Sequence, residues 1–181
     1  MSGPPFKTKI IQLFRIRLPR WSTQKRGVAA LEFAIAAPLL MLLIGAVMET
    51  GLLLFTQAIL DNATSDASRL IRTGQLQQGG GAAAFASQLC ADVGSIIPCA
   101  SLQVNVQSAA SFAALAGAGT AVADATGNLT PQNFNPGTQG QDVVVQVGYP
   151  RPYLIPWIGQ IVSANGTGLL VSVAAFQNEL Y

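Results

Sequence analysis

The side chains able to do chemistry in this chain are few. Cys90 and Cys99 are the two cysteines of 181 residues, framing CADVGSIIPC, and histidine is absent. Without histidine the chain lacks the usual general base near neutral pH and the commonest metal ligand, which removes Ser-His-Asp hydrolases, Cys-His proteases and His-ligated zinc enzymes. Eight residues between the cysteines is not thioredoxin spacing, and two thiols without other ligands do not make a zinc site. A disulfide suits them, provided that this part of the chain reaches an oxidising compartment, and closing so short a loop would contribute about 2–3 kcal/mol. The carboxylates are scattered, and no Gly-rich phosphate loop or metal-ligand cluster occurs. The composition therefore predicts no catalytic residue, no metal, no cofactor and no small-molecule substrate. The chain is not expected to be an enzyme.

Two carboxylates stand where carboxylates are costly. Residues 33–48, FAIAAPLLMLLIGAVM, are sixteen consecutive uncharged residues bounded by Glu32 and Glu49, and the run resumes over 50–60. A helix rising 1.5 Å per residue needs about 20 residues to cross the hydrocarbon, so residues 29–55 suffice as one span. Ala34-Ile-Ala36 lies inside the run, so cleavage there as a secretory signal is not expected and the segment should persist as an anchor. An acid in such a helix costs a few kcal/mol unless it reaches an interface or a partner. Glu49 is expected beside the outer headgroups or in its neutral form, and Glu32 reads as an interfacial acid beside the basic arm. Pro38 predicts a bend.

Charge sets the direction of this span. Half of the residues are hydrophobic and only 10% are charged, yet seven of the ten basic residues (Lys7, Lys9, Arg15, Arg17, Arg20, Lys25 and Arg26) precede Gly27, where no acid occurs. After Gly27 three arginines face eight carboxylates, a formal charge of −5. The positive-inside rule then keeps the arm in the cytoplasm and exports the rest. The plain alternative is a solvated tail. Basic residues confined to one short arm beside an apolar run do not make a nucleic-acid surface, and no nucleic-acid partner is expected. The predicted organisation is a basic leader (1–27), a transmembrane helix (28–55), a helical extension (56–74) and an exported α+β domain (75–181).

The elements beyond the membrane follow from periodicity. Ile59, Leu60, Ala63, Ala67, Leu70 and Ile71 recur at three and four, with Asp61, Asp66, Arg69 and Arg72 on other faces, so the helix should continue to Thr73 and stop at Gly74. Gly79-Gly-Gly81 reads as a joint and residues 82–93 as a short helix. Leu102-Val104-Val106, Val143-Val145-Val147-Tyr149 and Leu169-Val171-Val173-Ala175 alternate with period two, predicting a small antiparallel sheet with one face buried. Residues 111–141 read as a partly helical excursion and a surface loop. The stretch YPRPYLIPWIGQI, residues 149–161, contains Tyr149, Tyr153 and Trp157; it suits contact with a partner subunit or the membrane interface, or closes a small core.

Lys25-Arg26-Gly27 followed by Val28-Ala-Ala-Leu31-Glu32-Phe33 resembles the type IV prepilin processing sequence: a basic leader ending in glycine, four apolar residues, then glutamate and an aromatic. Residues 25–74 resemble the TadE-like family, the pilin-like pilus assembly proteins of tight-adherence (Flp) systems. The closing Val173-Ala-Ala-Phe-Gln-Asn-Glu179 is similar to the end of its members. The resemblance implies that a membrane prepilin peptidase cuts between Gly27 and Val28. It further implies that Glu32, next to Phe33, pairs with the new amine of a neighbouring subunit. Both charges are costly alone in apolar surroundings and neutralise each other when paired.

The resemblance also implies a pilin-like α+β fold, with the long helix packed on the sheet. The implied setting is the bacterial inner membrane, single-pass, with the amino-terminal arm cytoplasmic and the folded domain periplasmic or in the pilus. Its partners would be inner-membrane lipid, the peptidase and other pilus assembly subunits, and its role that of a pseudopilin in surface adhesion and biofilm formation. The alternative is a single-pass anchored periplasmic binding or adhesion module that never polymerises. Gly27 and Glu32 separate the two, because a filament subunit needs both and an anchor is indifferent to either.

Overall fold

The computed structural model describes residues 25–117, 121–163 and 165–180. The chain divides into two units, Met1–Met41 and Leu42–Tyr181. Residues 1–24 of the predicted basic leader lie outside the described residues. What is described of the first unit is helical, the opening part of α1 (Lys25–Arg72), which continues through Pro38. From Gly27 onward its side chains are exposed, save for a half-buried Ala37.

The second unit holds the rest of α1, and its sequence explains both the helix and its end. Residues 42–60 are dominated by straight-chain and small apolar residues with good helix propensity. Arg69 and Arg72 occupy the last turn, where the helix dipole favours cations. Gly74 then takes a left-handed conformation at φ 76°, and the amides of Thr73 and Gly74 close on the carbonyls of Arg69 and Ile71. Leu60, Ala63, Ala67 and Ile71 are fully buried, while Asp61, Asp66 and Arg69 remain exposed, so the predicted stripe faces the core.

After α2 (Gln75–Gln78), α3 (Gly81–Val93) buries Phe85, Leu89 and Val93 at helical spacing. The strands β1 (Gln103–Ala109), β4 (Asp142–Pro152) and β5 (Thr167–Gln177) form an antiparallel sheet in the order β1-β4-β5. Between β1 and β4 the chain forms α4 (Phe112–Gly117) and a hairpin of β2 (Val122–Ala123) with β3 (Leu129–Thr130). A short helix, α5 (Pro156–Val162), joins β4 to β5. The fold is α+β, with the long helix packed on a small antiparallel sheet.

β4 is central, and its alternation decides both faces of the sheet. Val143, Val145, Val147 and Tyr149 enter one core cluster with the stripes of α1 and α3. Residues of the other parity, Gln146 and Gly148, face the excursion. Gln146 accepts from the Asn105 side chain at 3.1 Å and the Ala121 amide at 2.8 Å, and donates to the Ala121 carbonyl. Gly148 leaves room for Leu129, whose Cβ would lie 3.0 Å from any Cβ placed there. The sheet was expected to bury one face; its central strand β4 is buried on both, while on β5 the second face leaves Val173, Ala175 and Gln177 exposed. The polar excursion covers the second face over β1 and β4 through amide hydrogen bonds and a few apolar residues, Leu115 and Leu129 among them.

Candidate processing segment and the clasp on the long helix

Gly27, Val28, Glu32 and Phe33 occupy the opening turns of α1. A Cβ at Gly27 would meet nothing within 4 Å. Glycine inside a helix costs about 1 kcal/mol relative to alanine, and no packing contact among the described residues asks for it here. Val28 and Phe33 are well exposed, and Glu32 is exposed with no ion-pair partner among the described residues.

Glu49 is different. It is only 5% exposed, and its Oε1 accepts from the Arg151 guanidinium at 2.7 Å while its Oε2 accepts from the Leu154 amide at 2.9 Å. One turn earlier on the same face of α1 stands Gly45, where an added Cβ would lie 2.7 Å from Ile155 Cδ1. Residues 151–155 therefore clasp α1 at two successive turns, by charge at Glu49 and by close apolar contact at Gly45. Both carboxylate oxygens are used, which is the condition under which a withdrawn ion pair holds together. The sequence alone suggests Glu49 beside the outer headgroups or in its neutral form, with no local pattern that points to Arg151. A signal existed, because Arg151 is the only cation after Arg72 and had an unmatched acid in the apolar run to meet. Further along α1, the Gln57 side chain donates to Asp61 and to the Val171 carbonyl of β5.

The three aromatic residues expected as partner contacts separate. Tyr149 is 8% exposed and shares the inward parity of Val147, so its ring lies in the core and is not a surface contact. Tyr153 is half-buried, its ring crossing Gly159 of α5 and Gly168 of β5, where any Cβ would lie 3.1 and 3.0 Å from it. Trp157 alone presents much of its ring outward, at 48% exposure.

Cys90 and Cys99 form a disulfide with their Cα atoms 5.4 Å apart. It ties the end of α3 to the turn that leads into β1, across a loop whose Ile97 is buried. A cavity of about 310 Å³ beside α3 is lined by Phe85, Leu102, Val104, Gln132, Asn133 and Phe134, with Ala82 and Ala86. None of these is a charged or nucleophilic side chain. At the carboxyl end, Glu179 returns to α1: its amide donates to the Arg72 carbonyl at 3.0 Å and its Oε1 meets Arg72 Nε at 3.0 Å.

Residues 27–69 match a family model described as TadE-like protein, the family that the sequence resembles. The matched stretch lies wholly on α1, from Gly27 to the last turn. No curated protein and no solved structure matches the chain. Among the described residues, α1 is long and apolar enough to cross a membrane, which is compatible with a single-pass anchor.

Proposed function

We propose that this chain is a membrane-anchored pseudopilin of the TadE-like kind that works in assembling a tight-adherence (Flp, type IVb-like) pilus, and through it in surface adhesion and biofilm formation. The observation that carries the proposal is the TadE-like match over residues 27–69, which begins on Gly27 and contains Glu32. On this reading α1 crosses the inner membrane with residues 1–27 in the cytoplasm. Prepilin peptidase cleaves after Gly27, and the Val28 amine of one subunit pairs with Glu32 of the next. Two features support it: a glycine at 27 that no contact among the described residues requires, and an exposed Glu32 with no ion-pair partner among them. Desolvating an ammonium and a carboxylate together costs less than desolvating either alone, so a pair formed only between subunits favours assembly over free monomer in the bilayer.

On this reading the role is structural rather than catalytic. Mass spectrometry of the mature protein tests the central step. The proposal expects a chain starting at Val28, whereas a chain that retains Met1 in a strain that assembles pili would overturn it and favour an anchored module that does not polymerise. Orientation is tested separately by alkaline phosphatase fused after Tyr181, which should be active.

A further inference from the structure

The surface of α5 is apolar to a degree that the fold does not need. Leu154, Trp157, Ile161 and Val162 are 63%, 48%, 77% and 64% exposed, and Trp157 and Ile161 stand one turn apart on the same face. Between Asp142 and Glu179 the only charged residue is Arg151, which Glu49 neutralises. Four large apolar side chains in one short, uncharged segment are unusual on a domain surface and mark a place that something apolar covers.

The clasp says what covers it. The segment carrying these residues touches α1 at Gly45 and Glu49, and the uncharged run of α1 ends at Met48. The neighbouring α1 residues Leu43, Val47 and Met48 are themselves exposed by more than half. The apolar surface of α5 is therefore continuous with the outer end of the apolar surface of α1. We infer that Leu154 and α5 form a lipid-interfacial anchor: the Leu154, Trp157, Ile161 and Val162 face lies at the headgroup and acyl boundary of the bilayer that α1 crosses, and the Glu49–Arg151 pair fixes its depth. Tryptophan suits that boundary, with an apolar body and one polar N–H. Pairing Arg151 with Glu49 means that neither ion enters the interface unpartnered. The anchor would hold the folded head against the membrane by a second point besides α1, as an interfacial helix does.

This inference rests on the reading that α1 spans a membrane, and the test separates the two. The full chain carrying Trp21→Phe, so that Trp157 is its one tryptophan, is reconstituted into phosphatidylcholine and phosphatidylglycerol vesicles. Flotation with the vesicles after alkaline wash reports whether α1 inserts. Trp157 emission is then measured with lipids brominated near the headgroup end of the acyl chain. The control carries Trp21→Phe, Trp157→Phe and Leu180→Trp, the reporter now beside Glu179 at the Arg72 end, about 35 Å along α1 from Glu49. The expected result is blue-shifted Trp157 emission, quenched at least about twofold more strongly by brominated lipid than the control reporter. A chain that floats but whose Trp157 is no more quenched than the control overturns the anchor and leaves the membrane span intact. If Trp157 is also shielded from aqueous acrylamide in that case, a protein partner covers the face instead. A chain that fails to float overturns both.

Discussion

Glu49 and Arg151, 102 positions apart, meet at 2.7 Å with the two side chains only 7% and 12% exposed, and the Leu154 amide completes the site. A membrane-type helix thereby carries an acid whose partner is supplied by the folded head. The pair joins α1 to the β4–α5 connection at the carboxyl end of the uncharged run 33–48.

Removing one partner strands the other. Arg151→Ala or Glu49→Ala should each destabilise the head by about 3–5 kcal/mol, roughly 6–20 °C in the unfolding midpoint for a chain of this size. The double change Glu49→Leu with Arg151→Met should lose less than either single change, because no lone charge is left. Thermal unfolding of the full chain in detergent, followed by circular dichroism, reads all three. Losses that simply add across the two sites would show that the residues do not act as a pair.

This pair also shows where the sequence was legible and where it was not. The α1 stripe Leu60, Ala63, Ala67 and Ile71 and the alternating valines of β4 announce themselves, because burial on one face imposes a period of 3.6 or 2. The same alternation puts Tyr149 inward with Val147, although its neighbours in the aromatic stretch, Tyr153 and Trp157, are more exposed. Residues 111–141 have no period. They cover the sheet through amides on Gln146 and Asn105 and through the small space at Gly148, and such contacts depend on tertiary approach rather than local pattern. Arg151 meeting Glu49 is likewise a long-range event. In the candidate processing segment the residue types are legible from the sequence, and the structure adds that no contact among the described residues accounts for Gly27 or Glu32.

The disulfide closes α3 onto the start of the sheet. In membranes from intact cells, Cys90 and Cys99 should resist alkylation until a reductant is added. Cys90→Ala should cost about 2–3 kcal/mol and reduce the amount of protein that accumulates. Free labelling of both thiols without reductant would contradict the bond.

Asp124 organises the loop between β2 and β3. Its carboxyl is held below the usual value of 3.8, first by the hydrogen bond from the Thr126 hydroxyl and then by the Asn128 amide. A lowered pKa in the folded state means that the contribution is present above 3.8 and is lost as pH falls through the folded value. A carboxyl NMR titration should find its midpoint under 3.8. At neutral pH, Asp124→Ala should speed hydrogen exchange at the Thr126 and Asn128 amides by about tenfold or more. Unchanged exchange at both amides would mean that the carboxylate does not hold the turn.

The prediction closest to function separates Gly27 from Glu32. No described side chain approaches Gly27, and alanine favours the helix by about 1 kcal/mol, so Gly27→Ala should leave the fold intact and still abolish cleavage. The product would retain Met1 in the mass spectrum. Glu32→Ala removes an exposed acid from the start of an apolar helix, which eases insertion rather than hindering it. That variant should be processed, inserted and as heat-stable as the parent, yet deficient in pili and surface adhesion, because the Val28 amine of its neighbour has lost the carboxylate. A processed, stable Glu32→Ala protein that cannot assemble identifies the carboxylate as an intersubunit contact, since neither folding nor cleavage is left to explain the loss. If Gly27→Ala and Glu32→Ala both support normal pili, cleavage and amine pairing are dispensable, and a non-polymerising anchored module becomes the better account of the chain.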